Sequence, residues 1–350
     1  MTNNSFVFVG DTSVGAPLVS LLLQSGFEGA DSLETADVIF TYHESQTSLE
    51  DIYYEEPGLL SVAKEGACFV DLSPSTPSFA RELFAIAQVS SKSFADAPLC
   101  VRDVTLEEAF ASASNLLCFV GAEKETFKVI EPMLNALSYR LFWMGAVGQG
   151  QVAKAAHTIQ AACDFVSVAE SYQMYCSSAD TEAYEDYLDL MDSVGMMSSS
   201  QILLAEAMIE KRFKGSFTVE IVMGELFAAF ACAEENRSQL LQADAAFHMF
   251  ELLAVIGGAQ LNPAALCLLF GNEAEAQKYN LNWSLADNHY DQHMCDDDCD
   301  CGHEGHSHGC NCSNHTHGDE GYGRLDDYDG FGTYDFDQDD FRYGDDEEYY

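Results

Sequence analysis

Short apolar runs broken by glycine-bearing turns fill the first 145 residues, and longer apolar stretches at helical spacing follow. Residues 5–9 predict a buried strand, 10–15 a turn, and a helix runs on to about 24. Further strands are expected at 37–41, 67–72, 93–99, 116–121 and 139–144, with helices at 77–87 and 123–137. Strands alternating with helices imply a largely parallel sheet covered on both faces. Beyond Gly150 the period changes. Residues 151–176, 182–191, 199–211, 218–232 and 237–256 read as helices, and no strand is expected. From Asp287 the aliphatic residues nearly vanish, and Cys, His, Asp, Gly and Tyr take over. Such a composition cannot bury a core. Three segments follow: an α/β domain over 1–147, an all-helical domain over 148–286, and a disordered acidic, Cys/His-rich tail over 287–350.

Charge narrows the partners. Fifty-eight acids face 15 Lys and Arg, for a net charge of −43. The tail holds 20 acids with only Arg324 and Arg342, a balance of −18, which leaves −25 on the body. Such a body repels nucleic acid and anionic membranes. The start, Met-Thr-Asn-Asn-Ser, has no basic region, and no apolar run reaches the length of a membrane span, so a cytoplasmic location is expected. Seven of the 12 cysteines are scattered through apolar segments and read as buried thiols.

The first strand and its turn open a dinucleotide-type fold, whose fingerprint is G-x-G-x-x-G. Here the turn reads Gly10-Asp11-Thr12-Ser13-Val14-Gly15, with Thr12 in place of the middle glycine. Gly10, Thr12, Ser13, Val14 and Gly15 are the candidate cofactor-binding residues, through the helix N-terminus and its free N–H groups. Read alone, the loop is equally an ordinary βα turn. Only 22 positions separate Gly15 from Asp37, enough for one helix and one connection. Counted naively, 37–41 is then the second strand and Glu44 the acid that holds a ribose.

Residues 145–158, Gly-Ala-Val-Gly-Gln-Gly-Gln-Val-Ala-Lys-Ala-Ala-His-Thr, carry the strongest candidate chemistry. Three glycines precede a helix with Lys154 in its second turn among small apolar residues. An isolated lysine there is costly to bury and tends to lose its proton, which makes Lys154 a candidate general acid/base. His157, Thr158 and Ala161 are spaced to share its helix face. A solvated lysine at a helix start, a satisfied interdomain histidine and a small buried Cys100 thiol are the structural alternatives.

In order along the chain, these motifs resemble the β-hydroxyacid dehydrogenases, relatives of 6-phosphogluconate dehydrogenase that include 3-hydroxyisobutyrate dehydrogenase and tartronate semialdehyde reductase. The resemblance runs from Phe6 to about residue 270. The glycine turn with Ala16-Pro17-Leu18 is similar to that family's loop and x-Pro-Met. Ala36-Asp37-Val38-Ile39-Phe40-Thr41 resembles its Ala-Asp-Val-Val-Ile-Thr strand. Asp71-Leu72-Ser73 with Pro77, and Asp96-Ala97-Pro98, resemble two further segments, and Gly145 to Lys154 fits G-x-x-G-x-G-x-x-x-K. The resemblance implies a shortened Rossmann-like domain, an NAD or NADP cofactor, Lys154 as catalytic acid/base, and pairing of chains into a homodimer or higher oligomer. It also implies that 37–41 is the fourth strand, so that the second strand and its helix are missing. Cys100 stands where the family's serine meets the substrate carboxylate, and Arg102 fills glycine space and is a candidate to grip an anion. Thr158 replaces an asparagine, and His157 matches 6-phosphogluconate dehydrogenase. Cys100, Arg102, His157 and Thr158 are therefore the candidate substrate residues. Met223-Gly224-Glu225-Leu226 aligns with x-Lys-Asp-Leu, so a second lysine is lost at Gly224.

In the tail, Cys295, Cys299, Cys301, His303, His306, His308, Cys310, Cys312, His315 and His317 crowd into 23 residues. Thiolate and imidazole together suit a transition metal such as Zn or Ni. The expectation is a divergent NAD(P)-dependent 3-hydroxyacid dehydrogenase acting on a small hydroxy acid or semialdehyde. The alternative is an inactive relative that binds a ligand, or buffers or delivers metal through its tail.

Overall fold

A computed structural model describes residues 5–54, 58–178 and 183–286. The predicted tail and its ten candidate metal ligands lie outside the described residues.

The first strand, β1 (Ser5–Gly10), runs into α1 (Thr12–Gln24), then a two-residue strand β2 (Glu28–Gly29). β3 (Val38–Tyr42) follows, then α2 (Gln46–Tyr54), α3 (Leu59–Val62), β4 (Cys68–Asp71), α4 (Pro77–Val89) and β5 (Ser93–Asp96). The sheet is completed by β6 (Leu99–Val101), β7 (Leu116–Gly121), α5 (Lys124–Leu137) and β8 (Arg140–Gly145). The order is β2-β1-β3-β4-β5-β7, and β7 also pairs with β6 and β8. Pairing is parallel except where β5 and β6 meet β7. The single strand expected at 93–99 is thus two. Pro98, with no N–H to donate, interrupts the ladder, and the chain leaves β4 to run antiparallel to β7.

β1 lies between β2 and β3, so β3 is not the second strand of the sheet. The strand expected to be missing is present as the stub β2, and no helix separates it from β3. Every residue of β3 is buried, as suits a central parallel strand. Val38 and Phe40 join one core with Val14, Leu18 and Leu22 of α1. Ile39 joins the other, with Leu49 and Tyr53 of α2, Phe69, Phe79 and Leu83. Helix α2 escapes the sequence pattern because only Leu49 and Tyr53, one turn apart, are buried in an otherwise polar segment.

The remaining chain is helical: α6 (Gln149–Ser178), α7 (Ala183–Ser193), α8 (Ser199–Ile209), α9 (Val219–Glu235) and α10 (Leu241–Leu253), followed by short turns to residue 279. Caps set several starts. Thr76 accepts the Phe79 N–H ahead of Pro77, Thr218 accepts the Ile221 N–H, and Ser198 with Gln201 forms a reciprocal capping box. The long helix α6 packs on β7, β8 and α4 near its start and on α8, α9 and α10 along its length. Among the described residues no single helix is long and apolar enough to cross a membrane.

Candidate active site

Helix α6 begins at the carboxyl ends of β5 and β7, and a buried carboxylate anchors it there. Asp96 accepts the N–H groups of Gly148 at 2.7 Å and Gln151 at 3.0 Å, donors that an N-terminal turn otherwise leaves orphaned. The glycine at 150 is a packing requirement, since a Cβ there would collide with the Phe119 carbonyl and with Asp96. Burial pushes the Asp96 carboxyl up to about 7, against the pull of those two N–H donors. Gln151, also buried, donates to the Ser73 carbonyl and accepts the Ser75 N–H, which ties the loop after β4 to α6.

One turn on, Lys154 is 3% exposed. It is not isolated. Its ammonium lies 2.5 Å from the Glu225 carboxylate on α9, whose second oxygen accepts the Thr158 hydroxyl at 3.0 Å. Burial works against the lysine's charge, but Cys100 and Glu225 outweigh it, and the pKa ends above the ordinary value. Cys100 is itself pushed up to about 12 by burial, and the carboxylate in direct contact with the ammonium is that of Glu225. The expectation that Lys154 sheds its proton is therefore reversed, because an acid from a different helix reaches it.

His157 is half-buried beside the ring of Phe119, and its Nδ1 has no hydrogen-bond partner. Burial, and then the Lys154 charge, hold its pKa down to about 4, so it is neutral. Lys154, His157, Thr158 and Glu225 line a cavity of about 20 Å³, room for about one water. Cys100 is fully buried within reach of Lys154. Arg102 is elsewhere. Its side chain is exposed, donates to the Ser114 carbonyl at 2.9 Å and stacks over Tyr139. β6 ends at Val101 and the chain bends at Arg102, so the alternation that would have set residues 100 and 102 on one face no longer applies there.

The glycine turn meets some requirements of a dinucleotide site and fails others. Gly10 has φ +128° and no room for a Cβ against the Tyr42 carbonyl, and Gly15 packs directly on Phe8. Those are the tight-turn and helix–strand packing roles of the first and third fingerprint glycines. Thr12 and Ser13 are exposed on the first turn of α1, where their N–H groups and hydroxyls suit a phosphate. Val14 is buried in the core. Asp11 turns toward the next loop, accepting the Glu44 N–H at 3.0 Å and lying 3.4 Å from His43. The adenosine side is not built as in a full dinucleotide fold. β2 pairs only with Ser5 and Phe6, so it stops four residues short of Gly10, roughly 13 Å at about 3.3 Å per residue. The residues present thus fit the phosphate-bearing part of such a cofactor and not its adenosine shelf.

The loop after β3 also meets α9. A Cβ at Gly224 would collide with the Glu44 carbonyl oxygen, so the absence of a side chain there is what lets helix and loop touch. Burial, then Asp11 and Glu220, push Glu44 up to about 7. Asp96, Gln151 and Glu225 were not among the candidates from sequence. Each lies inside a stretch already singled out in the sequence: Asp96 in Asp96-Ala97-Pro98, Gln151 between Gly145 and Lys154, and Glu225 in Met223-Gly224-Glu225-Leu226.

A mostly parallel sheet with a glycine turn after β1, followed by a long helix rising from the strand ends, defines a dinucleotide-binding-type architecture. Residues 8–145 match the family model of the NAD binding domain of 6-phosphogluconate dehydrogenase. An uncharacterized oxidoreductase of Bacillus subtilis is 27% identical over 67% of this chain and 81% of its own length. The 2-hydroxy-3-oxopropionate reductase of Escherichia coli is 24% identical over 74% of this chain and 94% of its own. The crystal structure of 3-hydroxyisobutyrate dehydrogenase from Salmonella typhimurium shares the fold, with a TM-score of 0.64 over 75% of this chain and 99% of that one at 15% identity. So does Psf3 in complex with NADP+ and 2-OPP, with a TM-score of 0.65 over 76% and 99% at 15% identity. Residues 8–145 thus carry a 6-phosphogluconate dehydrogenase-type NAD binding domain, and the chain is similar at low identity to 3-hydroxyisobutyrate dehydrogenases and 2-hydroxy-3-oxopropionate reductase.

Proposed function

We propose that the protein is an NAD(P)-type oxidoreductase that interconverts a small alcohol and its carbonyl compound, of the size of the hydroxy acids and semialdehydes named for its relatives. The observation that carries this reading is the buried Lys154, paired with Glu225 and facing the cavity from the first turns of α6. A bound nicotinamide nucleotide supplies or accepts the hydride. Thr12, Ser13 and the first N–H groups of α1 would hold its phosphates. In reduction, the Lys154 ammonium gives its proton to the carbonyl oxygen, leaving the alcohol and a neutral amine. The Glu225 carboxylate beside Lys154 favours the protonated amine that this reductive step uses. The unpartnered His157 Nδ1 is placed to orient the substrate oxygen, and Thr158 acts through Glu225.

Titration with NADH and NADPH, with hydride transfer followed by nucleotide absorbance, tests the reading. The expected result is saturable binding and turnover of a small aldehyde that disappears in Lys154→Ala. A second reading, a non-catalytic ligand-binding relative, is favoured by the contact of the Glu44 loop with α9 and by the short β2. Failure to bind either nucleotide at millimolar concentration selects it. On sequence alone, the Cys/His tract at 295–317 is separately proposed to hold Zn or Ni.

A further inference from the structure

We infer that the substrate of this site is an uncharged carbonyl compound or alcohol, and that a carboxylate group is excluded from it. This rests on the reading of the cavity as a substrate site and goes further by naming what enters it.

The charge balance of the cavity carries the inference. Lys154 is the only cation among its described lining residues, and it is already bound to Glu225 at 2.5 Å. Both oxygens of Glu225 are engaged, one by Lys154 and one by Thr158. The chain's own carboxylate thus occupies the donors that would otherwise receive a substrate's carboxylate. The other groups able to supply charge are absent from the cavity. Arg102 is turned outward onto Tyr139 and the Ser114 carbonyl. Position 224 is glycine, packed against the Glu44 carbonyl. His157 is held neutral. The remaining wall is apolar, including Val101, Val104, Phe165, Phe217 and Val222.

An anion entering this space feels Lys154 and Glu225 at similar distances, so attraction and repulsion largely cancel. Its lost hydration is then not recovered, because an ionised carboxylate in an apolar site needs a partner of its own. A neutral carbonyl oxygen needs only a donor, and Lys154 and His157 supply donors without a net charge to balance. The cavity of about 20 Å³ also requires the walls to part for anything beyond a water, which sets a small size.

Two aldehydes that differ in one group decide the matter. Isobutyraldehyde and methylmalonate semialdehyde share a skeleton, with a methyl in one replaced by a carboxylate in the other. With the full chain, reduced nucleotide and pH 7, kcat/KM is expected to favour isobutyraldehyde at least tenfold. Glu225→Gln, which releases Lys154 from its internal anion, is expected to shrink that preference at least tenfold. Preference for the acid, or a ratio unmoved by Glu225→Gln in a folded variant, overturns the inference and leaves the redox reading standing. A nucleotide-free measurement separates the two readings and needs no variant. Saturation-transfer NMR of the wild-type chain should show isobutyramide binding more tightly than isobutyrate. Tighter binding of isobutyrate, or no binding of either, overturns the inference whatever the outcome with nucleotide.

Discussion

Lys154 on α6 and Glu225 on α9 meet at 2.5 Å, with the two side chains 4% and 9% exposed, and Thr158 bonds the far oxygen of the same carboxylate. Two residues 71 positions apart, on different helices, are joined at the point where proton transfer is proposed. A buried pair of this kind costs desolvation on both sides, so its removal in halves differs from its removal whole. Lys154→Met alone strands a buried carboxylate and should destabilise the fold by about 3–5 kcal/mol. The double variant Lys154→Met with Glu225→Leu should recover most of that loss, and both should lose roughly 10²–10⁴-fold in activity. Urea denaturation of the three proteins checks the stability terms. A loss below about 1 kcal/mol in the single variant would mean that the pair is not buried as described.

Asp96 anchors the start of α6 and so acts on Lys154 from a distance. Asp96→Asn keeps the size but replaces one acceptor oxygen with a donor facing the Gly148 or Gln151 N–H. The expected cost is about 1–3 kcal/mol, together with faster amide exchange confined to the first turns of α6. Exchange that quickens evenly over the whole chain would argue against a local anchoring role.

Gly224 offers a test of the contact between α9 and the Glu44 loop. In an open helix interior, Gly→Ala adds about 1 kcal/mol of stability. Here the new methyl meets the Glu44 carbonyl oxygen, so Gly224→Ala is expected to destabilise by about 1–3 kcal/mol. A gain in stability would show that the loop stands away from the helix in solution.

The same contact should respond to pH. Glu44 holds its proton to about 7, against 4.5 for an ordinary glutamate, through burial and then through Asp11 and Glu220. The folded state therefore binds that proton more tightly than the unfolded one. Its contribution to stability is complete below about pH 4.5, falls as pH rises toward 7, and is lost above. Glu44→Gln should remove this part of the slope, so its stability relative to wild type should improve between pH 5 and pH 8. Parallel pH profiles for the two proteins would count against it.

The tail proposal is tested by removal. A chain ending at residue 287 should lose stoichiometric Zn or Ni uptake by equilibrium dialysis, while the urea midpoint of the remaining protein stays unchanged. Undiminished uptake would locate the metal elsewhere.

Local pattern was enough to read the alternation of strands and helices, the glycine turn at 10–15 and the lysine motif at 145–154. Each of these depends on residues close in sequence: short continuous apolar runs, a positive φ at Gly10, a helix start after glycines. The register of β2, four residues short of the turn it should have supported, was invisible because two residues carry no period. The outward turn of Arg102 was invisible because β6 is only three residues long, and the chain bends at Arg102 just past its end. Above all, the charge on Lys154 was decided by tertiary structure. The sequence around it determined that a lysine would be buried at a helix start, and it implied a neutral amine. A pKa depends on what lies within a few ångströms, and the acid that answers it, Glu225, is brought there only by the packing of α9 on α6.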